Sequence, residues 1–366
     1  MESLEATVQL LSSMGELVDD PQFHSTLDGA ALLALYRDMV LVRQLDQQAT
    51  ALQRQGELGL WAPLLGQEAA QIGSARAMQA QDYVFSTYRE HGVAWCRGVD
   101  PVDMLRFWRG TAHQAWDANL HRFYGYQVII GAHVLHATGY AMGMSKDGRT
   151  GTGDLEKDQA VVAYFGDGAM SEGDVNEAFV FATSFQSPVV FFCQNNQWAI
   201  SEPTRRQSVV PLAQRAQGFG MPGIRVDGND VIACHAVTMA ALDRARAGKG
   251  PTLIEAFTYR MGAHTTSDDP TKYRDSADDE LWRSRDPIDR LRIYLRAQEI
   301  LNEKVESELA SEAAYLAERM RVSCRELADP NPLTMFDHVY SGPDARLERQ
   351  RLEVEAILAD QETKVN

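Results

Sequence analysis

The sequence predicts an α/β fold in which a parallel sheet carries helices on both faces. Two short apolar runs, 160–165 and 189–193, are rich in Val and aromatic residues, which is typical of strands buried on both faces. The segment between them has the spacing of an amphipathic helix, with one apolar stripe formed by Val175, Ala178, Phe179, Ala182 and Phe185. Strand, helix and strand in this order form a βαβ unit, so both strands should end at the same edge of the sheet.

Before this unit the pattern predicts mainly helix. Residues 1–28 carry a weak helical pattern and should form a helical extension. A strong helix is predicted over 27–56, with an apolar stripe formed by Leu32, Leu35, Tyr36, Met39, Val42, Leu45 and Ala49. A second helix begins within 64–73, and a short strand with a polar end lies within 82–92.

After the βαβ unit, strands and helices alternate again. Strands are predicted at 223–226 and 251–259, and the turn 227–230 should cap a helix over 231–247 between them. Beyond residue 285 the pattern is that of amphipathic and then charged helices. We therefore expect three parts: an N-terminal extension (1–28), a ligand-binding domain (29–285) and a helical C-terminal extension (286–366).

Composition and charge limit the classes of function. The chain has 366 residues, of which 45% are hydrophobic and 23% charged, as in soluble globular enzymes. Its 35 basic and 51 acidic residues give a net charge of −16, which argues against nucleic acid as a partner. Because no apolar run approaches the length of a membrane span and the start does not resemble a secretory signal, we expect no membrane association. The four widely spaced cysteines indicate structural thiols in a reducing compartment, the cytoplasm.

Polar clusters follow both strands of the βαβ unit. Gly166-Asp167-Gly168 closes the first strand, and Asn195-Asn196 closes the second after 26 intervening residues. Mg²⁺ prefers about six oxygens from carboxylates, phosphates, carbonyls and water. Asp167 offers a carboxylate, Asn196 an amide oxygen and the following backbone a carbonyl, while the glycines and the next helix N-terminus suit a phosphate. The spacing favours a magnesium–diphosphate site over the alternative, a tight turn and a polar strand end without a ligand.

In their contexts, FGDGAMSEGD and FFCQNNQWAIS, these clusters resemble the thiamine diphosphate motif. They are most similar to the α subunit of the decarboxylating component of 2-oxoacid dehydrogenase complexes, over about residues 30–340. The resemblance implies that thiamine diphosphate and Mg²⁺ bind here, with Asp167, Asn196 and the main-chain carbonyl of Trp198 as metal ligands. It also places three small residues at the cofactor: Gly166, Gly168 and Ala169. Relatives usually have Tyr in place of Trp198, but a carbonyl ligand does not depend on the side chain.

A third polar segment, Tyr88-Arg89-Glu90, follows the predicted strand within 82–92. An Arg at a strand end can bind a diphosphate through two N–H groups, and a Tyr hydroxyl can donate beside it. From these residues alone, a surface ion pair between Arg89 and Glu90 or a neighbour is favoured. The segment resembles the Tyr-Arg-(Glu/Asp) diphosphate clamp of the family, which implies that Tyr88 and Arg89 bind the cofactor.

Two segments depart from the family pattern. Residues 128–133 read VIIGAH where relatives often have SPLATQ. Ile130 can still contact the aminopyrimidine ring, but the oxygens that hold a structural potassium ion in some relatives are missing, so no potassium site is predicted. Gln194 stands where some relatives have an Arg that contacts the diphosphate. Its presence should weaken cofactor binding unless another base compensates.

The loop 260–274, RMGAHTTSDDPTKYR, follows the last predicted strand and has the composition of a lid. From the residues alone, a surface position for His264 is favoured. The loop closely resembles the catalytic loop of the family, which implies that His264 is catalytic and contacts the cofactor phosphate or the reacting intermediate.

Thr265 stands where animal relatives have a regulatory phosphoserine. A phosphate there should repel the cofactor diphosphate and disorder the loop. If a Thr265→Glu variant keeps the cofactor affinity and rate of the wild type, this hypothesis is wrong.

The resemblance also implies that the chain is half of an active site. Thiamine diphosphate needs a carboxylate at its aminopyrimidine, and a second, pyrimidine-binding domain supplies that group in this fold class. One diphosphate-binding domain and its extensions account for the length of the chain. In the family, a β subunit completes the site in an α2β2 heterotetramer, and the acyl group passes to the lipoyl arm of an acyltransferase core.

The expected reaction is oxidative decarboxylation of branched-chain 2-oxo acids such as 3-methyl-2-oxobutanoate. The TTSDDP loop and the overall segment pattern are most similar to the branched-chain enzyme. The α subunit of pyruvate dehydrogenase or acetoin dehydrogenase is the alternative. A non-catalytic nucleotide-binding subunit is a more remote one, because no G-x-G-x-x-G follows a predicted strand.

Overall fold

A parallel sheet forms the centre of the molecule. The computed structural model describes residues 7–112 and 114–365 of the chain. Within these ranges the main sheet is built from β1 Thr7–Val8, β2 Tyr83–Phe85, β3 Val161–Gly166, β4 Val189–Asn195, β7 Gly223–Asp227 and β8 Thr252–Phe257. The strand order is β1-β7-β8-β4-β3-β2, and all neighbours are parallel. A small antiparallel hairpin joins β5 Trp198–Ala199 to β6 Glu202–Pro203.

Helices connect and cover these strands. The described part of the chain contains α1 Gly29–Arg54, α2 Glu68–Arg76, α3 His91–Cys96, α4 Pro101–Arg109, α5 Ala118–His121, α6 Ala132–Lys146, α7 Gly173–Ser184, α8 Thr204–Gln207, α9 Ala216–Phe219, α10 Val231–Arg246, α11 Ser276–Arg283, α12 Pro287–Ala297, α13 Glu303–Glu326 and α14 Ala345–Val365. The predicted α/β fold is confirmed.

The alternating side chains of the central strands build one core on each face of the sheet. On one face Val162, Tyr164, Val190 and Phe192 pack with α1, α2 and α10. On the other, Val161, Ala163, Phe165 and Phe191 pack with the buried stripes of α6 and α7. This arrangement explains why 160–165 and 189–193 are apolar at every position, since both faces of each strand are covered.

The βαβ unit positions the two predicted polar clusters. β3 and β4 pair in parallel with Val161 opposite Val189 and Gly166 opposite Gln194. The carboxyl ends of these strands therefore lie side by side. Residues Asp167–Ser171 form a 3-10 turn, and α7 begins only at Gly173. The N-terminus of the next helix, which the sequence analysis places near a phosphate, is thus separated from the Gly-Asp-Gly cluster by this 3-10 turn.

The prediction of a helical N-terminal extension is wrong for the described residues of that segment. Thr7–Val8 adds a parallel strand to the edge of the sheet beside β7. The backbone N–H groups of Leu10 and Leu11 then donate to the buried carboxylate of Asp230, at 2.7 and 2.6 Å. Because a weakly periodic segment gains little as an isolated helix, these backbone hydrogen bonds to the body decide its conformation.

Two further details concern a surface residue, whose predicted burial is wrong, and the C-terminal helices. Phe185, placed by its spacing on the buried stripe of α7, follows the end of the helix and is exposed. The C-terminal helices were predicted as an extension, and α12 and α13 share the core of α1 through Leu291, Leu295, Leu316 and Met320. Among the described residues, α14 packs mainly on the 3-10 turn Pro332–Phe336.

Candidate active site

A cavity of about 500 Å³ opens at the carboxyl edge of the sheet. Parallel α/β sheets bind ligands at this edge. Every residue that the sequence predicts at the site lines the cavity: Tyr88, Arg89, Ile130, Gly166, Asp167, Gly168, Ala169, Asn196, Trp198 and His264. Their positions are therefore brought together by the fold, although they come from segments up to 176 residues apart.

One side of the cavity, the oxygen pole, is formed by Asp167, Asn196 and the carbonyl of Trp198. The Asp167 carboxylate is 2% exposed, and its Oδ2 accepts hydrogen bonds from Thr204 Oγ1 at 2.6 Å and Gln207 Nε2 at 3.4 Å. Burial raises the pKa of Asp167 to about 6, against the lowering effect of the Thr204 hydrogen bond. A carboxylate held in this way is oriented and poorly solvated, which favours a cation in front of it.

The amide of Asn196 is also fixed. Its Nδ2 donates to Gln67 Oε1 at 3.1 Å, and its Oδ1 accepts from the backbone N–H of Trp198 at 3.3 Å. The glycine at position 66 allows the hydrogen bond between Asn196 and Gln67. Its φ is +93°, and a Cβ there would lie 2.4 Å from the carbonyl oxygen of Tyr259. Gln67 is thereby turned into the cavity, so the oxygen of Asn196 faces the same space as Asp167.

A second group of lining residues, the basic pole, consists of Arg89, Arg260 and His264. Arg89 is 5% exposed and donates to the carbonyls of Pro63 at 2.5 Å and His264 at 2.8 Å. Arg260 is 1% exposed and donates to the carbonyls of Trp198 at 2.8 Å and Ile200 at 2.7 Å. Neither guanidinium forms an ion pair with a carboxylate within the described ranges. Two buried cations without a carboxylate leave the cavity ready for an anion.

His264 stands between the two guanidinium groups. Its Nδ1 lies 3.3 Å from Arg89 Nη2 and 3.2 Å from Arg260 Nη1. Because a guanidinium can only donate, Nδ1 accepts and the proton is on Nε2, which lies 3.5 Å from the Tyr88 hydroxyl. Burial, together with the positive charges of Arg89 and Arg260, lowers the pKa of His264 to about 3. The imidazole is therefore neutral and presents one N–H donor.

The loop that carries His264 is closely held by its own residues. The backbone N–H of His264 donates to Asp268 at 2.8 Å, and the Tyr273 hydroxyl donates to the same carboxylate. Arg274 donates to the carbonyls of Gly262 and Met261, both at 3.1 Å. A loop with this many internal bonds holds the imidazole in one position rather than leaving it at the surface.

The residues of the cavity fit a magnesium–diphosphate group. Within the described ranges, no group of three or more His, Cys, Asp or Glu side chains could hold a metal ion. An ion at the oxygen pole would need phosphate and water as further ligands, as Mg²⁺ usually does. A Cβ on Gly166 would meet nothing within 4 Å, so the backbone there is open to a phosphate. The buried Nε of Arg260 and Nε2 of Gln67 also lack hydrogen-bond partners.

The mouth of the cavity is apolar. Ile130 lines it together with Val128, and the run from Val128 to Ile130 lies exposed before the first turn of α6. Leu60, Trp108 and Ile200 complete this rim. Three adjacent exposed apolar side chains at a ligand cavity are unusual for a free surface and indicate that another body covers them.

Sequence reasoning missed several residues of the cavity. Arg260 opens the loop 260–274, but the sequence analysis assigns it no function. A cation soon after the end of a strand of the sheet was a signal for an anion site. Gln67 and Thr204 had no such signal, since their positions depend on a positive-φ glycine and on a loop folding back over Asp167. Gln194 was noted as a departure, and in the structure it is bonded to Glu90 and Gln71.

The comparisons with known proteins agree with this geometry. The family described as "Dehydrogenase E1 component" matches residues 36–321. The chain belongs to this family. E1 dehydrogenases depend on thiamine diphosphate, and the predicted family and fold are confirmed.

Among curated relatives, the E1 chain is 44% identical to the 3-methyl-2-oxobutanoate dehydrogenase subunit alpha of Mycobacterium tuberculosis, over 96% of this chain and 94% of that protein. It is 39% identical to the pyruvate dehydrogenase E1 component subunit alpha of Staphylococcus epidermidis, over 84% and 81%. The same identity and coverage hold for that subunit in Staphylococcus aureus. The chain is thus an E1 α-type subunit of the 2-oxoacid dehydrogenases.

The sequence analysis expects no membrane association. Among the residues that the structure covers, no helix combines the length and apolarity that crossing a bilayer requires.

Proposed function

We propose that this chain is the α subunit of a branched-chain 2-oxoacid dehydrogenase E1 component. The observation that carries the proposal is a cavity that is lined by both an oxygen pole and a basic pole, which meet where Arg260 donates to the carbonyl of Trp198. The greater identity and coverage of the Mycobacterium relative supports a branched-chain substrate over pyruvate.

We assign the cofactor to the cavity because the oxygen pole suits Mg²⁺ and the basic pole suits a diphosphate. Asp167, Asn196 and the Trp198 carbonyl would hold Mg²⁺, and Arg89 with Arg260 would bind the diphosphate. When bound, thiamine diphosphate supplies the carbanion chemistry that decarboxylates a 2-oxo acid. Gly166 leaves the backbone open beside the phosphates, and Gly168 and Ala169 line the same cavity. Gly168 is needed for a different reason, because a Cβ there would lie 2.7 Å from Cβ of Ala199.

His264 acts as a hydrogen-bond donor in this site. With Nδ1 facing two guanidinium groups, only the Nε2–H is free to reach a phosphate oxygen or a developing negative charge. Tyr88 adds a hydroxyl on the same side. A diphosphate bound at the basic pole would offset the two positive charges and allow His264 to take up a proton, so a role in proton transfer depends on the cofactor being present.

The apolar mouth supports a partner and an apolar substrate. Ile130, with Val128, would pack against the aminopyrimidine and against a β subunit that supplies the missing carboxylate. Together the subunits would form an α2β2 heterotetramer that passes the acyl group to a lipoyl-bearing acyltransferase core. Since all four cysteines are free thiols, we expect the complex to act in the cytoplasm.

Pyruvate dehydrogenase is the second candidate, because the Staphylococcus relatives cover 84% of the chain at 39% identity. Acetoin dehydrogenase would use the same site residues. A non-catalytic nucleotide-binding role has no support from the family match.

The test is decarboxylation by the α chain co-expressed with its β partner, followed with an artificial electron acceptor. We expect a higher kcat/KM for 3-methyl-2-oxobutanoate than for pyruvate. Preference for pyruvate would retain the site and overturn the substrate. Turnover of neither acid with cofactor bound would move the substrate outside both groups.

A further inference from the structure

A buried carboxylate at the cavity wall has no part in the proposed chemistry. Glu90 is 1% exposed and lines the cavity. Within the described ranges no Lys or Arg nitrogen lies within ion-pair distance of it, and the adjacent Arg89 is turned toward Pro63 and His264. Burying a carboxylate without a direct ion pair is costly, so its retention calls for a specific purpose.

The hydrogen bonds of Glu90 connect it to the backbone of the clamp. Its Oε2 accepts from both the backbone N–H and the hydroxyl of Thr87, each at 2.6 Å. Thr87 directly precedes Tyr88 and Arg89. The carboxylate therefore closes a tight loop around the two residues that face the cofactor space, and it fixes the direction in which they leave β2.

The other oxygen is held by a chain of two amides whose orientation is determined by the backbone. Gln71 Oε1 accepts from the N–H of Gly92 at 2.9 Å, so its Nε2 donates to the Arg89 carbonyl at 3.0 Å and to Gln194 Oε1 at 3.1 Å. Gln194 must then direct its Nε2 at Glu90 Oε1, at 2.7 Å. In the described part of the chain, each hydrogen bond of the Glu90 carboxylate is one that it accepts, and an acceptor-only side chain satisfies all three donors.

We propose that Glu90, oriented through Gln194 and Gln71, is the positioning residue that sets the Tyr88–Arg89 clamp for the cofactor diphosphate. The proposal rests on the proposed function, since it concerns thiamine diphosphate binding. It also gives a reason for Gln at position 194. The amide donates to Glu90 and simultaneously accepts from Gln71, which a guanidinium cannot do.

The arrangement predicts an unusual pattern of effects for three variants. In Glu90→Gln, the new NH₂ group faces either the Thr87 N–H or the Gln194 NH₂, so two donors oppose each other whichever way it turns. In Gln194→Glu, two carboxylates face each other. In the exchanged double variant Glu90→Gln/Gln194→Glu, the amide at 90 accepts from Thr87 and donates to the carboxylate at 194, which still accepts from Gln71. Charge and volume are preserved, and all hydrogen bonds are restored.

The experiment measures the Kd of thiamine diphosphate with Mg²⁺ by calorimetry on the co-expressed α and β chains. We expect each single variant to raise Kd by about tenfold or more, the usual effect of an unsatisfied buried polar pair. The double variant should return to within about threefold of the wild type. Gln214→Glu, at an exposed site, is the charge control and should leave Kd unchanged.

Rescue by the exchange distinguishes positioning from general damage to the fold. A Kd for Glu90→Gln equal to the wild type, or a double variant no better than the worse single variant, would overturn the proposal. If the wild-type complex itself does not bind the cofactor, the proposed function fails, and this proposal fails with it for a different reason.

Discussion

The two poles of the cavity are built in different ways. The oxygen pole comes from one contiguous segment, since Asp167 follows β3, Asn196 follows β4 and Trp198 opens the short strand β5 directly after it. The basic pole combines Arg89, which follows β2, with Arg260 and His264, which follow β8. In the sheet β2 and β8 flank the β3–β4 pair. The outer loops reach over the central strand ends and meet, as the contact of Arg89 with His264 shows.

This difference has a functional consequence. In the oxygen pole, Asp167 and Asn196 follow the ends of two hydrogen-bonded strands, whereas the basic pole depends on two loops that hold each other. We therefore expect substitutions in the oxygen pole to act on metal and cofactor binding together. Substitutions in the basic pole should separate binding from catalysis.

The largest effect is expected for Asp167→Ala. Removing the only carboxylate of the oxygen pole should abolish magnesium-dependent binding of thiamine diphosphate. Calorimetry on the α–β complex measures it, with Asp174→Ala, exposed on α7, as the control. Unchanged affinity would remove Asp167 from the site.

His264→Ala should separate binding from turnover. The two arginines remain, so cofactor affinity should stay within a few-fold of the wild type. Acylation of the lipoyl domain should slow by roughly 10²–10⁴-fold if the imidazole takes part in proton transfer. Single-turnover acylation measures this rate, and a wild-type value would exclude His264 from the mechanism.

Arg260→Gln should weaken cofactor binding by roughly 10–100-fold, because charge-assisted hydrogen bonds to a diphosphate are lost. It should also leave the carbonyls of Trp198 and Ile200 without their donor. The control is Arg206→Gln, whose guanidinium pairs with Glu202 at the surface. Equal Kd values for the two variants would show that Arg260 does not face the phosphate.

The smallest effect is a change in titration. Without cofactor, the lowered pKa of His264, about 3, means that the ring stays neutral down to about pH 4. Diphosphate bound at Arg89 and Arg260 should raise this pKa toward the ordinary value near 6.5. NMR of ¹³Cε1-labelled histidine, assigned with His264→Ala, measures both states. Titration near pH 6.5 in the cofactor-free protein would contradict the two-arginine environment.

The sequence predicted most of the sheet and placed Asp167 and Asn196 at its carboxyl edge, because long apolar runs mark buried strands and polar residues mark their ends; the carbonyl of Trp198 was specified by the family resemblance. It identified Tyr88, Arg89 and His264 only through their resemblance to a family, since nothing local indicates that residues about 175 positions apart meet. It misassigned the N-terminal segment because β1 has two residues and is held by Asp230. Arg260 was overlooked because its role depends on tertiary contacts with Trp198 and Ile200.

The domain boundaries after residues 28 and 285 and the effect of a phosphate on Thr265 remain predictions, and no potassium site is predicted. Thr265 lies at the cavity beside His264, where a phosphate would face the basic pole as well as the cofactor. Its charge could therefore compete with the diphosphate for Arg89 and Arg260, in addition to repelling it.

The central claim is that the two poles together bind one magnesium–diphosphate group. The most direct test is calorimetric titration of the wild-type α–β complex with thiamine diphosphate, in the presence of Mg²⁺ and again in excess EDTA. We predict saturable binding with one cofactor per α chain in Mg²⁺ and loss of most of the affinity in EDTA. Equal binding in both conditions, or none in either, would contradict the account.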